Sequence, residues 1–335
     1  MEKIKIGDID VGYGEKTFII AEAGLNHDGN FSQAKKLVEE AAKTGADAVK
    51  FQIFKTEEFI SGDAEYFDLF KSLEFSMDKW TELADFADKL GIIFSASVFD
   101  EESADFLSEV GSPVYKIASG DLNYYPLLSY ISKKNLPVIL STGMATIAEI
   151  DESLNNIYSS GNKQVALMHC VSSYPTEYED ANLNLINNLK NLFKIPVGFS
   201  DHTIGNLIPS LAVAKGADLI EKHFTVDKDL PGPDHKLSLD PIEFKEMVEN
   251  IRITESAMGD AVKVVTDDEK HTKELGRRSI TAVDNISKGE TISMDKIKIL
   301  RPGTGIEPKY IYSIIGKTVK ADVKKNQTIN WDIIC

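Results

Sequence analysis

Short apolar runs alternate along most of the chain with longer amphipathic segments. The segments, such as FSQAKKLVEEAAKTG and MDKWTELADFADKL, place apolar residues at i, i+3, i+4 and i+7, the period of a helix with one buried face. The runs are rich in apolar and β-branched residues, as strands are. In chain order they are TFIIAEAG, ADAVKFQIF, GIIFSASVF, PVYKIASG, PVILSTG, QVALMHC, PVGFSDHT and ADLIEKHFT.

Strands that alternate with helices pair in parallel through right-handed crossovers. Eight such units over about 240 residues match a closed barrel in number and length. The predicted fold class is therefore α/β, with a (β/α)8 TIM barrel over residues 1–260. An open doubly wound sheet is the alternative. It usually carries a Gly-rich loop after its first strand, and EAGLNHDGN is not a G-x-G-x-x-G sequence.

The pattern changes after the last amphipathic segment. Residues 261–276 are polar and charged, which predicts a linker or an arm. Residues 277–335 hold short strand-like runs with Gly-rich turns, which predict a small β-rich domain. A domain of that size is marginally stable unless it packs against something.

Composition and charge narrow the classes of function. The formal net charge of −16 argues against nucleic acid or an anionic membrane as a partner. The first ten residues lack the apolar stretch of a signal peptide, and no run approaches the roughly 20 apolar residues of a membrane span. Cys170 and Cys335 form no disulfide framework, so we expect a cytoplasmic protein. An anionic substrate would need local positive charges.

Polar side chains gather at the predicted carboxyl ends of the strands, where barrel enzymes build their sites. One Lys or Ser at a strand end is commonly a solvated loop residue. Polar groups at all eight ends exceed what a purely structural barrel needs, so we predict an active site there. They are Glu22, Asn26, His27, Lys50, Gln52, Ser95, Ser97, Lys116, Ser119, Asp121, Ser141, Thr142, His169, Tyr174, Ser200, Asp201, His202, Glu221 and His223.

Two histidines end neighbouring strands. Residues two apart in a strand share a face, so Ser200 and His202 point one way, and so do Glu221 and His223. Two converging neutral imidazoles are a common start for a metal site, and two ligands are too few for closed structural zinc. An open site with nearby oxygens favours Mn²⁺ or Mg²⁺. On spacing alone, a pair of core histidines is an equal alternative.

The segment after the last strand, DKDLPGPDHKLSLDP, has two prolines around Gly232, followed by Asp234. Prolines fix the backbone and so hold Asp234 in a set direction. A stiff surface loop is the alternative on local grounds. The position of the segment, after the strand that ends in His223, favours a functional loop.

Eight motifs in collinear order carry a family resemblance that spans nearly the whole chain. They are IIAEAGLNHDGN, GADAVKFQ, YKIASGD, VILSTGMAT, HCVSSYPT, GFSDHT, EKHFT and PGPDHKLSLDP. Together they resemble the sialic acid (N-acetylneuraminate) synthase family, which includes the legionaminic and pseudaminic acid synthases. The tail, RRSITA…KGE…RPGTGI…IIGK, resembles the C-terminal antifreeze-like SAF domain of that family, a β-clip domain.

The resemblance implies a condensation of phosphoenolpyruvate with the open-chain aldehyde of an N-acetylated amino sugar. Water adds at C2, phosphate leaves by C–O cleavage, and a nine-carbon α-keto acid results. The matching catalytic positions imply metal ligands at His202 and His223, with catalytic carboxyls at Glu22 and Asp234. The matching substrate positions are Lys50, Lys116, Ser97, Ser119 and Ser200 for phosphoenolpyruvate, and Asp234, Tyr174 and Gln52 for the sugar and the intermediate.

The family also implies a domain-swapped homodimer, in which the tail of one protomer covers the site of the other and Arg301 reaches the sugar. This chain departs from the bacterial N-acetylneuraminate enzymes at Ser172, where they carry Asn. The sugar therefore stays open between N-acetylmannosamine and a 2,4-diacetamido-6-deoxy hexose. A phosphorylated sugar would call for basic residues that the sequence does not place.

Other functions remain possible at this point. A Schiff-base aldolase would use Lys50 or Lys116 as the nucleophile. A synthase of deoxyoctulosonate or deoxyheptulosonate phosphate shares the phosphoenolpyruvate chemistry but would not need the tail domain. A carbohydrate- or ice-binding protein would use the tail alone and would leave the eight polar strand ends unexplained.

Overall fold

A computed structural model describes residues 2–335 of the chain. The chain divides into two compact units, the first ending at Gly259 and the second spanning Asp260–Cys335. None of the helices within residues 2–335 combines the length and the apolar character that crossing a membrane requires.

The first unit is the predicted closed barrel. Its parallel strands neighbour one another in chain order, and the last pairs with the first to close the ring. The apolar runs of the sequence are these strands, which confirms the fold class. Numbered after a short preceding hairpin, they are β3 Phe18–Gly24, β4 Ala48–Ile53, β5 Ile93–Val98, β6 Tyr115–Ile117, β7 Val138–Ser141, β8 Val165–Cys170, β9 Val197–Asp201 and β10 Leu219–His223.

The amino-terminal hairpin, β1 Ile4–Ile6 and β2 Ile9–Val11, is antiparallel. Its buried apolar side chains form one cluster with residues from the starts of the barrel strands, among them Phe18, Ala48 and Leu219. The amino-terminal end of the barrel is therefore apolar and filled. Any cavity of the barrel must therefore open at the other end, where the sequence places the polar residues.

Helices cover the outside of the barrel. Their apolar faces join the largest hydrophobic cluster, except for the two short helices after β4, which pack in a separate cluster. The first helix of the barrel shows why the segments start and stop where they do. Asn30 caps its amino end by accepting from the backbone of Ser32 and Gln33, and Gly45 ends it with φ 86°. The helices are α1 Phe31–Thr44, α2 Thr56–Phe59, α3 Phe67–Leu73, α4 Met77–Leu90, α5 Glu101–Glu109, α6 Tyr125–Ser132, α7 Ile147–Ser159, α8 Asn184–Phe193, α9 Leu207–Ala214 and α10 Pro241–Met258.

The second unit holds helix α11 Asp267–Gly276, strands β11 Ser279–Ala282 and β12 Ile297–Leu300, and helix α12 Ile311–Ile314. The two strands are antiparallel, and isolated bridges add to them around a core made mostly of isoleucine. The sequence predicts a linker or an arm over residues 261–276. Much of this segment is helical, and Thr266 and Glu269 form a capping box at the start of the helix.

A buried ion pair lies on the outer face of the last two barrel strands. Lys222 Nζ is 2.7 Å from Asp201 Oδ2, and both side chains are fully buried. Lys222 also donates to the carbonyl oxygen of Thr203. Alternation along the strands places this pair on the opposite face from Glu221 and His223. The pair is part of the scaffold between the barrel and its helices.

We expect Lys222→Met to lower the free energy of unfolding by about 3–5 kcal/mol, because it leaves the Asp201 carboxylate buried without a partner. Urea unfolding followed by circular dichroism measures the change. Lys55→Met, which breaks the exposed pair with Glu102, should change stability little. Equal losses in the two variants would contradict the prediction.

Candidate active site

A cavity of about 470 Å³ opens at the carboxyl ends of the barrel strands. Of the thirteen site residues named with the family resemblance, twelve line its wall. They are Glu22, Lys50, Gln52, Ser97, Lys116, Ser119, Ser172, Tyr174, Ser200, His202, His223 and Asp234. Arg301, the thirteenth, is an exposed residue of the second unit.

Two lysines and two glutamates form the floor of the cavity. Lys50 Nζ is 2.8 Å from Glu22 Oε2 and 3.6 Å from Glu221 Oε2, and Lys116 Nζ is 3.4 Å from Glu221 Oε1. All four side chains are almost fully buried. The strand register makes this possible, because Glu22 lies opposite Lys50 in the ladder. Buried charges persist in a protein only when they are paired, and these four compensate one another.

Burial and charge shift the two carboxyl groups in opposite directions. Burial raises the pKa of Glu22 to about 7, against the opposing effect of Lys50. Glu221 is also buried, but Lys116 and Lys50 together hold its pKa at about 2. Glu221 is therefore the permanent anion between the two lysines. Burial lowers the pKa of Lys116, whereas the two glutamates raise that of Lys50 in spite of its burial.

Hydroxyl groups surround the lysines. Lys50 Nζ donates to Ser97 Oγ at 3.0 Å, and Ser200 Oγ donates to Glu221 Oε1 at 3.0 Å. The backbone N–H of Gly143 donates to Ser119 Oγ at 3.0 Å. Ammonium, hydroxyl and amide donors converging on one wall are the groups that bind phosphate and carboxylate oxygens.

The two histidines converge as predicted, with ring centroids 5.5 Å apart. Burial lowers the pKa of both imidazoles, so both are neutral near pH 7. Nδ1 of His202 is 2.7 Å from the carbonyl oxygen of Val171, which fixes the proton on Nδ1 and leaves Nε2 free. Nδ1 of His223 is buried, and no group within residues 2–335 forms a hydrogen bond with it. Two neutral rings with unused lone pairs fit a cation.

The fit is to an open site only. Across residues 2–335 there is no group of three or more His, Cys, Asp or Glu side chains placed to hold a metal ion. The carboxylate beside the histidine pair is that of Asp234, whose Oδ2 lies 3.8 Å from His223 Nδ1. A cation held by these two histidines would therefore complete its coordination with water or substrate oxygens.

The rim of the cavity comes from loops. The Tyr174 ring lies over His202, with centroids 4.2 Å apart, and Asp234 faces His223 from the loop after β10. Burial raises the pKa of the Asp234 carboxyl. An aromatic ring and a carboxylate at the mouth, above a floor with ammonium and hydroxyl donors, suit a ligand that is anionic at one end and hydroxylated at the other.

The two other strand-end histidines are core residues. His27 packs against Phe75 with centroids 4.5 Å apart, and burial lowers its pKa to about 4. His169 Nε2 is 2.9 Å from the carbonyl oxygen of Ala181, a contact that ties the loop after β8 to the strand. Neither side chain lines the cavity, and Nε2 of His27 is buried without a hydrogen-bond partner within residues 2–335.

Sequence reasoning assigned no role to several residues that shape the cavity. The sequence places Glu221 on the same inner face as His223 but gives it no role, and the structure places it between Lys50 and Lys116. Gly143 has no sequence signal beyond its residue type. A Cβ there would lie 2.3 Å from Ser172 Oγ and 2.8 Å from Ser119 Oγ. Phe70 reaches the cavity from the long β4–α4 connection, which periodicity does not resolve.

The chain is similar to known proteins over nearly its whole length. The sequence profile of the NeuB family matches residues 37–263, and that of the SAF domain matches residues 277–334. An uncharacterized protein of Methanocaldococcus jannaschii is 53% identical over 332 residues, which cover 99% of this chain and 98% of that protein. The N,N′-diacetyllegionaminic acid synthase of Legionella pneumophila is 42% identical over 335 residues, which cover 95% and 94%.

A solved structure extends the similarity to three dimensions. It is the N-acetylneuraminic acid (sialic acid) synthetase of Leptospira borgpetersenii, with a TM-score of 0.77 and 38% identity over 81% of this chain and 95% of that one. With its barrel, its cavity and its carboxyl-terminal SAF domain, the chain belongs to the NeuB family of sialic-acid-type synthases.

Proposed function

We propose that this protein is a nonulosonic acid synthase. It condenses phosphoenolpyruvate with the open-chain form of an N-acetylated amino sugar and water, giving a nine-carbon α-keto acid and phosphate. The observation that carries the proposal is the pair of buried lysines, both within 3.6 Å of the Glu221 carboxylate, with serine hydroxyls beside them. Phosphoenolpyruvate is polyanionic, and an acidic protein can bind it only through such local donors.

The reaction forms one C–C bond and breaks the C–O bond between C2 of phosphoenolpyruvate and its phosphate. C3 of phosphoenolpyruvate attacks the aldehyde carbon, and the new alkoxide takes up a proton. Water adds to C2 and loses a proton, and the C2–O bond to the phosphate then breaks to leave the keto group and inorganic phosphate. The floor residues hold the enolpyruvate, and Glu22, beside Lys50, orients the water or the intermediate and can accept its proton.

His202 and His223 would hold the divalent cation, Mn²⁺ or Mg²⁺, because both are neutral and each has an unused nitrogen. When bound, the cation supplies a Lewis acid for the aldehyde oxygen. Asp234 and Tyr174 lie at the mouth beside these histidines, so we assign them to the hydroxyl and acetamido groups of the sugar.

The charge of the cavity favours a sugar without phosphate. Its wall includes two cationic side chains, Lys50 and Lys116, and both lie at the floor against carboxylates. Leu25 and Phe70 add apolar surface that suits methyl groups. N-acetylmannosamine and a 2,4-diacetamido-6-deoxy hexose both meet these conditions, and the name of the Legionella relative, an N,N′-diacetyllegionaminic acid synthase, favours a diacetylated sugar.

The tail domain is proposed to act on a second copy of the chain, in a domain-swapped homodimer. Residues 277–335 hold 11 Lys and Arg against six Asp and Glu, although the whole chain has a net charge of −16. Opposite charges on the tail and the remainder favour their association. Arg301, exposed on the tail, would then reach the sugar from the partner copy.

Phosphate release tests the activity directly. We expect metal-stripped protein to release phosphate from phosphoenolpyruvate only when Mn²⁺ or Mg²⁺ and one unphosphorylated sugar are both present. The assay compares N-acetylmannosamine, its 6-phosphate and the 2,4-diacetamido-6-deoxy hexose. Release without added metal would exclude the role of the cation. No release with any sugar, together with trapping of a lysine by borohydride and a keto acid, would replace the proposal with a Schiff-base aldolase that uses Lys50 or Lys116.

Gly143→Ala tests whether the hydroxyls of Ser119 and Ser172 help to bind phosphoenolpyruvate. The new methyl group would displace the hydroxyls of Ser172 and Ser119, and we expect the KM for phosphoenolpyruvate to rise about tenfold, which corresponds to one or two weakened hydrogen bonds. The thermal midpoint should change little, because serine hydroxyls can rotate. Gly62→Ala, whose methyl group meets nothing within 4 Å, is the matched control. Equal KM values in the two variants would exclude these hydroxyls from phosphate binding.

Complementation tests the swapped dimer. His202→Gln impairs the barrel site, and Arg301→Ala impairs the tail. If Arg301 acts on the partner, coexpression of the two inactive variants gives mixed dimers with one intact site, and about a quarter of the parent activity should return for random pairing. No recovery, with both chains present in the purified dimer, would show that Arg301 acts within its own chain or not at all.

A further inference from the structure

Asp234 stands at the mouth of the cavity on a loop that joins β10 to α10. Its carboxyl group is mostly buried, and no side chain or backbone group within residues 2–335 donates a hydrogen bond to it. Its direction must therefore be set by the loop itself. Contacts with the segment that follows β3, the first strand of the barrel, hold this loop in place.

The first contact is made by His235, which is completely buried. Its Nε2 is 2.9 Å from Asp28 Oδ2, and its Nδ1 is 2.7 Å from Thr225 Oγ1. A carboxylate only accepts, so Nε2 of His235 carries the proton and donates to Asp28. His235 directly follows Asp234. Its ring therefore links the loop both to the segment after β3 and to the end of β10.

The second contact holds Asp234 from the other side. Asn26 Nδ2 donates to the Phe224 carbonyl oxygen and to Ser238 Oγ, both at 2.9 Å. Ser238 Oγ donates in turn to the carbonyl oxygen of Asp234 at 2.6 Å. The backbone of Asp234 is therefore bound to the same β3 loop through two successive hydrogen bonds.

The backbone of the loop also packs closely against the Asp28–His235 pair at Gly232. A Cβ on Gly232 would lie 2.3 Å from Asp28 Oδ1 and 2.8 Å from His235 Nε2, so only glycine lets the loop approach this pair. Pro231 and Pro233 flank it and restrict the backbone further. The loop is thus locked on the Asp28–His235 pair.

We propose that Asp28 and His235 are positioning residues that fix the Asp234 carboxyl over the cavity, beside His223. Neither side chain lines the cavity, so both act through Asp234. The inference rests on the proposed function, in which Asp234 contacts the sugar. Loss of the pair should misplace the carboxyl and weaken sugar use, and leave the floor that binds phosphoenolpyruvate unchanged.

The kinetic test uses the full chain with its metal. We expect Asp28→Ala to lower kcat/KM for the sugar about tenfold or more, with the KM for phosphoenolpyruvate within about twofold of the parent. Asp28→Asn keeps an oxygen that can accept from His235 and should recover most of the loss. Lys228→Ala, which frees the same loop from Glu243 at its outer end, is the matched control and should leave both constants unchanged.

A double-mutant cycle shows whether the pair acts through Asp234. In an Asp234→Ala background, Asp28→Ala should have no further effect on kcat/KM. A full further loss would overturn the proposal, and so would parallel changes in both substrate constants, which indicate general damage to the fold.

A readout without turnover separates this proposal from the proposed function. In crystal structures, the Asp234 carboxyl should move away from His223 by about 1 Å or more in Asp28→Ala and stay in place in Lys228→Ala, a displacement large enough to affect catalysis. If the parent turns over no sugar, the proposed function fails, and these structures alone decide the positioning role. An unmoved Asp234 in Asp28→Ala would overturn it.

Discussion

The site depends on the compensation of four buried charges at the center of the barrel. Barrel interiors of this fold are usually filled by layers of branched apolar side chains. Here the apolar layers occupy the amino-terminal end, and Glu22, Lys50, Lys116 and Glu221 take their place at the other. Each charge is tolerated because its neighbours neutralise it, and so the floor must be built as a unit.

Floor and rim are held by different forces. The floor residues sit on strands whose register fixes them, and their contacts are ionic. The rim residues sit on loops and depend on hydrogen bonds, such as those of Asn26 and His235 with their partners. Because floor and rim rest on separate elements, a substitution in a rim loop can change the mouth of the cavity and leave the floor intact.

Local patterns in the sequence predict the barrel and most of its cavity, because both follow from short-range rules. Alternation places Glu221 and His223 on the inner face, and strand ends meet at one end of a barrel. What local patterns miss are contacts between distant segments. Asp28 and His235 are 207 residues apart, and nothing near either one indicates the other. A charged segment such as residues 261–276 can be an extended arm or an exposed helix, because it has no apolar face to show a period. The Thr266 cap is the feature that favours the helix.

The pairing of β10 with β3 has a consequence for how the protein is made. The first barrel strand has no partner on one edge until the last has been synthesised, about 200 residues later. During that interval an apolar strand edge is open to wrong pairing with other chains. Contacts of such long sequence separation also make folding slow. The nascent chain therefore acquires its ring, and with it the loop that carries Asp234, only near the end of barrel synthesis, and chaperones would act most usefully before that point.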